Sequence, residues 1–385
     1  MRVVRVLGKF EPGGAQLALL RVMRALEQRH GVVAELWVGD ASVEGIRLAR
    51  RYGVRTVAYR TSRVVQPVRN LQWQLSDRFA AWLAAELPKA DLVHAHMVGA
   101  WWAAAQAVGV TTPVVATEHN QVNWPAGRIR SLRSAAGRID RFYAMGPAAS
   151  RFAAQAGVRA EALRPARSPI AGLQGRPTAQ LRSPRLTFAG RFCPDKGPDL
   201  LIEAIALLGR PDLACYLLGD GPLLAGIADR VERSNLSAQV FLPGWVDRPW
   251  TYIAGSSVHV VPSREEAWSQ SAVLALGLGV PVVGTRVDGL AETLAHSRGV
   301  LVPPEDPVAL SRALAETLTG RPPIDRLAGR RYARHFSCAK VADFYLTEYE
   351  GIRSGAAPAR HLRQALPNIG KGSSQLSRSI PGPVH

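Results

Sequence analysis

Several features typical of other protein classes are missing from this sequence. Its three cysteines, Cys193, Cys215 and Cys338, are far apart and lack the paired spacing of a zinc site or a small disulfide framework. Its longest apolar stretches, around 98–110 and 272–283, are shorter than the roughly 18 to 20 residues that span a bilayer. The first residues, MRVVRVLGKF, contain no apolar run typical of a signal peptide and predict a strand instead. We therefore expect a cytoplasmic protein with buried thiols and no transmembrane helix.

Acidic residues are scarce relative to basic ones. The formal net charge is +18, and Arg greatly outnumbers Lys. Such a charge suits nucleic acid, an anionic membrane surface or phosphorylated substrates, although an Arg bias also arises in GC-rich genomes. No zinc-finger, helix-turn-helix or RNA-binding signature accompanies the charge, so we predict no nucleic-acid partner.

The pattern of apolar runs predicts two α/β domains. With 47% hydrophobic and 20% charged residues in 385, the chain has enough apolar side chains for two cores. Short β-branched or apolar runs alternate with helix-like stretches in two series, which predicts parallel strands joined by crossover helices. The first series is Val3–Leu7, Val32–Val38, Leu92–Ala95, Val114–Thr117 and Arg141–Ala144, and the second is Leu186–Ala189, Ala214–Leu218, Val240–Phe241, Val258–Val261, Val280–Gly284 and Val300–Val302.

Composition suggests where these domains begin and end. The Arg-, Pro- and Gly-rich segment between Pro165 and Pro184 has no periodicity, and we place an interdomain linker at 171–184. This gives an amino-terminal α/β domain at 1–170 and a carboxyl-terminal one at 185–330. A helix at 331–350 carries several aromatic residues and is expected to pack back across the domains. Residues 351–385 have the composition of a disordered tail.

Two loops that follow predicted strands have the composition of anion sites. In GKFEPGGAQLALL, Gly13 and Gly14 precede a helix, whose amino terminus offers unpaired N–H groups to an anion. In GRFCPDKG, Arg191 and Lys196 follow a strand at the edge of the sheet where α/β proteins bind ligands, and a diphosphate is their natural partner. Taken singly, the first loop is equally well explained as an ordinary strand-to-helix turn, and the second as a loop with two solvated cations.

A third loop, in PSREEAWSQSAVLALGLG, combines carboxylates with a buried helix. Glu265 and Glu266 precede a helix that starts near Ser269, and its first N–H groups can hold a phosphate with help from Ser269 and Ser271. Glu266 is suited to orient sugar hydroxyls, whereas Glu265 is equally well explained as a solvated side chain without a role in binding. The apolar run at 272–276 belongs to the core.

These segments, in this order, resemble the GT4 family of retaining glycosyltransferases, which have the GT-B fold. The resemblance reaches to about residue 350. Its specific parts are Gly190–Gly197, Gly219–Pro222 (GDGP), Gly244–Val246 and Pro262–Thr285, and its weaker parts are Gly13 with Gly14, the run ending at His96, and Thr117–Asn120. It implies two Rossmann-like parallel-sheet domains that face a deep interdomain cleft. The domain at 1–170 would bind the acceptor, and the domain at 185–330 would bind the nucleotide sugar.

The resemblance also implies the roles of individual residues. The residues that it makes catalytic are His119, Arg191, Lys196 and Glu266. The residues that it places on the donor are Gly13, Gly14, Gly190, Arg191, Lys196, Gly219, Val246, Glu266, Trp268, Ser269, Gln270 and Ser271.

The implied reaction is a retaining transfer of a hexosyl group from a nucleotide diphosphate sugar, with a UDP-sugar favoured. The acceptor is a glycan, a lipid-linked molecule or a small molecule. No cofactor and no metal are expected, because cations and a helix amino terminus neutralise the departing diphosphate.

A few residues depart from the family pattern or suit a purely structural role. Leu274 stands where the family usually has a second Glu, commonly on the nucleotide ribose, and a buried hydroxyl without a partner costs about 1 to 3 kcal/mol. A lone His such as His119 is more often structural than catalytic, and only the resemblance favours catalysis. We interpret His94 and His96 as structural rather than as a metal pair, and Asp220 as a turn residue.

Alternatives of other classes remain open. Leu274 is compatible with an inactive nucleotide-sugar binder, and an epimerase or phosphorylase of the same fold is a further possibility. An envelope-polysaccharide precursor on a lipid diphosphate would bring the Arg-rich stretch 128–141 onto anionic lipid, at the inner face of the cell membrane. A soluble natural product such as an aminocyclitol is the other candidate acceptor.

Overall fold

A computed structural model describes residues 1–62, 75–119, 124–177, 181–182 and 184–355. Its amino half contains, in order, β1 (Arg2–Phe10), α1 (Gly14–His30), β2 (Val33–Ser42), α2 (Val43–Arg51), β3 (Thr56–Ser62), α3 (Asp77–Glu86), β4 (Leu92–His96), α4 (Val98–Ala107), β5 (Val114–Glu118), α5 (Ala126–Arg130), α6 (Arg133–Gly137), β6 (Arg141–Ala144), α7 (Gly146–Ala156) and β7 (Leu163–Pro165).

The carboxyl half repeats the alternation. Its elements are β8 (Arg185–Ala189), α8 (Pro198–Leu208), β9 (Ala214–Leu218), α9 (Leu224–Arg233), β10 (Val240–Gly244), α10 (Trp250–Ile253), β11 (Val258–Val261), α11 (Gln270–Leu278), β12 (Val282–Thr285), α12 (Asp288–Leu294), β13 (Val300–Val302), α13 (Pro307–Leu318), α14 (Arg326–Arg334) and α15 (Cys338–Arg353).

The strands form two sheets, one in each half. The seven-stranded sheet has the order β3-β2-β1-β4-β5-β6-β7 and the six-stranded sheet the order β10-β9-β8-β11-β12-β13, with parallel pairing in both. In the first sheet, successive strands are added on one side of β1 up to β3 and on its other side from β4 onward. In the second sheet, β8 has the same position. This arrangement confirms the predicted pair of Rossmann-like parallel sheets.

Helices cover both faces of the amino-half sheet, so its central strands are buried throughout. Along β1, Val4 and Val6 join the core that contains Trp101 and Phe142. Val3 and Leu7 point to the opposite face, into the core beneath α1 and α15. Arg5 lies between Val3 and Leu7 and therefore faces the same side, with no exposed surface.

Two strands of the first sheet were not foreseen in the sequence, β3 and β7, and they are its two edges. β3 is intermediate or exposed at every residue, and β7 has three residues of which none is buried. Edge strands carry less apolar patterning because one side lacks a neighbour, which explains why the pattern did not reveal them.

The end of the described chain corrects two boundaries. The predicted single helix at 331–350 is two helices, α14 and α15, and residues 351–353 of the predicted tail are helical. Helix α15 continues because Ile352 packs against the amino-half core, to which Tyr345 and Tyr349 also belong. Residues 356–385 of the predicted tail lie outside the described residues, as do 178–180 and 183 of the predicted linker. Among the described helices, none combines the length and the hydropathy needed to span a bilayer.

Candidate active site

The predicted site loops lie at the topological switch points of the two sheets. These are the places where the strand order reverses, between β1 and β4 in one sheet and between β8 and β11 in the other. Gly13 and Gly14 follow β1, Arg191 and Lys196 follow β8, and Glu266 follows β11, the neighbour of β8. Ligands of open α/β sheets bind in the crevice outside the carboxyl ends of the strands at such a switch point. The topology therefore gives each half one candidate half-site.

The two half-sites meet. A Cβ atom added to Gly13 would lie 3.5 Å from Nη2 of Arg191, and one added to Gly14 would lie 3.3 Å from Nε2 of Gln270. The amino terminus of α1 thus faces the loop after β8 and the first turn of α11. Three of the loops singled out in the sequence come together across the two sheets.

Glycines allow the loops of the carboxyl half to lie in direct backbone contact. Gly197 has φ +60, and a Cβ atom there would be 2.1 Å from the carbonyl oxygen of Pro262. Gly219 has φ +138, and its Cβ would be 1.8 Å from the carbonyl oxygen of Gly190. No other residue type fits these two positions without displacing backbone. They join the loops after β8, β9 and β11.

Lys196 and Glu266, predicted to contact the diphosphate and the sugar, contact each other. Nζ of Lys196 lies 2.8 Å from Oε2 of Glu266, and the hydroxyl of Ser263 donates to the same oxygen at 3.4 Å. Glu266 is only 8% exposed. The carboxylate is therefore held at the base of the loop, where it is close to any diphosphate that Lys196 binds.

Arg264 holds this loop in place and was not singled out in the sequence. Its two terminal nitrogens donate to the two carboxylate oxygens of Asp199, at 2.8 and 2.7 Å, and its Nε pairs with Glu305. The guanidinium lowers the pKa of Asp199, and the hydrogen bonds to Asp199 raise the pKa of Arg264 further above its ordinary value. The bidentate pair connects α8 to the segment that carries Glu266.

The start of α11 uses its hydroxyls internally. Ser269 precedes the helix and accepts a hydrogen bond from the backbone N–H of Ala272 at 3.3 Å, and its hydroxyl lies 3.4 Å from that of Ser271. Trp268 packs against Phe336, with ring centroids 4.9 Å apart. These contacts orient the helix terminus and leave the hydroxyl of Ser269 engaged as a cap.

Val246 and Asp220 lie near the ends of neighbouring strands. Val246 packs against a small aromatic cluster that contains Tyr216. The carboxylate of Asp220 accepts from the N–H of Gly221 at 2.6 Å, which is the turn role expected from the sequence. Leu274 is 5% exposed and belongs to the core around α11. It offers no oxygen to a ligand at that position.

His119 follows β5, and Asn120, the last residue of the predicted TEHN segment, lies outside the described residues. Nε2 of His119 is 3.1 Å from Nδ1 of His96, whose Nε2 is 3.1 Å from Nη1 of Arg5. Burial, together with the charge of Arg5, lowers the pKa of His119 to about 4. His119 is therefore a neutral imidazole at physiological pH.

His94 makes hydrogen bonds to two hydroxyl groups inside the protein. Nδ1 of His94 lies 2.6 Å from the hydroxyl of Tyr349, and its Nε2 lies 2.7 Å from the hydroxyl of Thr117. Both nitrogens of His94 thus have protein partners, as a structural role requires. Within the ranges that the structure describes, we find no group of three His, Cys, Asp or Glu side chains arranged to hold a metal ion.

Family models match both halves of the chain. The model described as Glycosyltransferase Family 4 matches residues 12–165, and the model described as Glycosyl transferases group 1 matches residues 183–320. The matched ranges contain the two half-sites.

Curated relatives carry one recurring name. The chain is 32% identical over 189 residues to the D-inositol 3-phosphate glycosyltransferase of Jonesia denitrificans, which covers 45% of this chain and 44% of that protein. It is 30% identical over 301 residues to the protein of the same name from Streptomyces bingchenggensis, covering 71% of this chain and 65% of that protein. The match thus spans less than half of the Jonesia protein and just under two thirds of the Streptomyces one.

Solved structures share the architecture at low sequence identity. The structure of Anabaena Alr3699/HepE in complex with UDP has a TM-score of 0.74 at 18% identity, over 91% of this chain and all of that one. The sucrose-phosphate synthase of Thermosynechococcus elongatus has a TM-score of 0.73 at 20% identity, over 92% of this chain and all of that one. These similarities confirm the predicted GT-B fold.

Proposed function

The chain belongs to the GT4 family of glycosyltransferases, and from this premise we propose that it transfers a hexosyl group from a nucleotide diphosphate sugar to a hydroxyl of an acceptor. One observation carries the proposal: Arg191, Lys196 and Glu266 lie in the loops at the switch point of one sheet, and Arg191 faces the start of α1 on the other. Two cations, one buried carboxylate and a helix amino terminus match the charges of a diphosphate joined to a sugar.

A UDP-sugar is the donor that we favour. The neighbouring Anabaena structures contain UDP, UDP with glucose, and UDP-glucose. In this chain the base would lie toward the cluster of Tyr216 and Val246, and the diphosphate toward Arg191 and Lys196. Leu274 removes the carboxylate that the family commonly uses on the ribose, so ribose recognition is expected to be weak.

We propose a metal-independent reaction with retention of configuration. The bond between the anomeric carbon and the diphosphate oxygen breaks, and the acceptor oxygen forms its bond to that carbon on the same face. The acceptor proton passes to the departing diphosphate, whose negative charge Arg191 and Lys196 stabilise. Glu266 already pairs with Lys196, so we assign it to sugar hydroxyls rather than to nucleophilic attack.

We favour a small polyhydroxylated acceptor, such as a cyclitol or its phosphate. The recurring name of the curated relatives supports this class, and the net charge of +18 suits a phosphorylated substrate. A lipid-linked glycan is the second candidate. Its support is the Arg-rich stretch 128–141 beside Trp124, whose ring lies 4.3 Å from the guanidinium of Arg128. Sedimentation with anionic vesicles at low salt separates the two, because only a membrane-bound acceptor requires the protein to bind the vesicles.

The donor site is tested by calorimetry in metal-free buffer with UDP, GDP and ADP. We expect one nucleotide to bind, with at least tenfold weaker binding to Arg191→Ala and to Lys196→Ala. Because each charge-assisted hydrogen bond contributes about 1.5 to 3 kcal/mol, a smaller loss would remove these residues from the diphosphate site.

Turnover then separates the classes of function. Consumption of the donor only when an acceptor is present supports a transferase. Interconversion of nucleotide sugars without acceptor would indicate an epimerase, and binding without any turnover would indicate a nucleotide-sugar binder.

A further inference from the structure

A row of three polar side chains, of which His119 is partly exposed and the other two are buried, crosses the amino-half sheet on the side of α15. Arg5 is at the centre of β1, His96 ends the neighbouring strand β4, and His119 follows β5, the next strand along. Arg5 is 0% exposed and His96 is 4% exposed. The contact between Arg5 and His96 is therefore shielded from bulk water.

Hydrogen bonds connect the three side chains of this row. Nη1 of Arg5 lies 3.1 Å from Nε2 of His96, and Nδ1 of His96 lies 3.1 Å from Nε2 of His119. The two imidazole planes differ by 20° and their centroids are 5.4 Å apart. At a nitrogen-to-nitrogen distance of 3.1 Å, this separation places the rings edge to edge, as a hydrogen bond between ring nitrogens requires.

The chemistry of Arg5 determines where the protons of both rings lie. A guanidinium donates and never accepts, so Nε2 of His96 must be the unprotonated nitrogen of that ring. The proton of neutral His96 is then on Nδ1 and is donated to Nε2 of His119. This nitrogen must also be unprotonated, which leaves the single proton of His119 on its Nδ1.

The surroundings of Arg5 reinforce this order. In the described part of the chain no carboxylate lies within ion-pair distance of Arg5, and its guanidinium is 5.8 Å from the ring centres of Tyr345 and of Tyr349. His94 stacks on His96 with centroids 4.3 Å apart. The positive charge therefore favours the lone pair of His96 and disfavours a second proton on any of the histidines.

We propose that Arg5 and His96 are positioning residues that hold His119 as the neutral tautomer protonated on Nδ1. The ring of His119 then serves the cleft as a hydrogen-bond donor and not as a base. This role in sugar recognition rests on the function proposed above, whereas the tautomer itself does not. The ligand recognised by Nδ1–H is an oxygen that accepts a hydrogen bond, which a hydroxyl of the donor sugar provides.

The tautomer is measured directly by long-range 1H–15N correlation of the histidine rings in the ligand-free full chain, with His119→Gln used to assign the signals. Among the residues that the structure describes, His94, Glu118, Tyr345 and Tyr349 are the other ionisable groups near this row, so the titration is recorded for every histidine. In the wild type we expect His119 to show an unprotonated Nε2 from pH 8 down to about pH 5. Wild-type spectra with a proton on Nε2, or a titration near pH 6.5, would overturn the proposal.

Variants test whether Arg5 and His96 cause the tautomer. Arg5→Met removes the donor, and we expect mixed tautomers of His119, whereas Arg5→Lys retains a donor and should restore the wild-type signal. His96→Phe keeps an aromatic ring but removes both hydrogen bonds of His96. This variant replaces Arg5→Met in the test if Arg5→Met fails to fold. An unchanged His119 tautomer in a folded Arg5→Met or His96→Phe protein would contradict the proposal.

Substrate kinetics separate this inference from the proposed function. We expect His96→Phe to raise KM for the nucleotide sugar about tenfold while the Kd of the bare nucleotide stays constant, because only the sugar contacts His119. An equal loss for both ligands would indicate a general structural defect and contradict the positioning role. If the tautomer is as described but no nucleotide sugar binds, the proposed function fails and the tautomer assignment stands.

Discussion

Glu266 is expected to oppose nucleotide binding, so removing its charge should strengthen the binding of UDP. Its carboxylate pairs with Lys196 at 2.8 Å, and the two side chains retain 10% and 29% of their exposure. A diphosphate that recruits Lys196 must share or displace this pair and also approaches the negative charge of Glu266. We therefore expect Glu266→Gln to bind bare UDP more tightly than the wild type.

The size of the effect follows from the exposure of the pair. A partly exposed ion pair contributes about 1 kcal/mol, which corresponds to about a fivefold lower Kd for UDP in Glu266→Gln. The gain should shrink at high salt because charge interactions are screened. For the complete nucleotide sugar we expect the opposite outcome, a lower kcat, because Gln accepts hydrogen bonds from sugar hydroxyls more weakly than a carboxylate does.

Calorimetry at 50 and 500 mM salt measures the change, and Glu265→Gln is the matched control. Glu265 is the adjacent residue, is exposed, and undergoes the same chemical substitution. We expect its UDP affinity to differ from that of the wild type by less than a factor of two. Weaker UDP binding to Glu266→Gln, or equal gains in both variants, would refute the competition between Glu266 and the diphosphate for Lys196.

Three further predictions concern backbone, pH and the ribose. Gly197 and Gly209 both have φ +60, but only a Cβ atom at Gly197 would meet a carbonyl oxygen, at 2.1 Å. Thermal unfolding should therefore show a much larger loss of Tm for Gly197→Ala than for Gly209→Ala. Equal losses would contradict the loop contact. Burial lowers the pKa of His259 to about 3, so the unfolded chain takes up its proton first as pH falls below 6.5. The free energy of unfolding should then decrease toward pH 4 by about 1.4 kcal/mol per pH unit from this group, and urea titrations should show a shallower decrease for His259→Gln. Because Leu274 offers no acceptor, UDP and its 3′-deoxy analogue should bind within about threefold of each other in calorimetry, and a tenfold difference would reveal another partner for the ribose.

The residues of the candidate site that could be predicted are those that stand in a recognisable local sequence pattern. Gly13, Arg191, Lys196 and Glu266 each follow an apolar strand within a short segment, and parallel sheets bring such segments to one edge. The strong apolar alternation likewise predicted the central strands. The edge strands β3 and β7 escaped because their residues are partly exposed and lack that alternation.

Contacts between distant segments could not be predicted in the same way. Arg264 lies 65 residues from Asp199, and Arg5 lies 91 residues from His96. Nothing in the local sequence specifies either partner. The one signal for Arg5 was a charged residue in the middle of the apolar strand VVRVL, which predicts a buried polar partner without naming it.

The placement of α15 determines when the amino half can complete its core during synthesis. Tyr345 and Tyr349 complete the core of the amino-half sheet, yet they are synthesised long after β7 ends at Pro165. At translation rates of roughly 5 to 20 residues per second, the nascent first sheet waits on the order of 10 to 40 s for its last helix. During that interval a chaperone must cover the apolar face of this sheet, or the carboxyl half must do so as it folds on the growing chain. A fragment for separate expression of the amino half would therefore have to carry α15 fused behind β7.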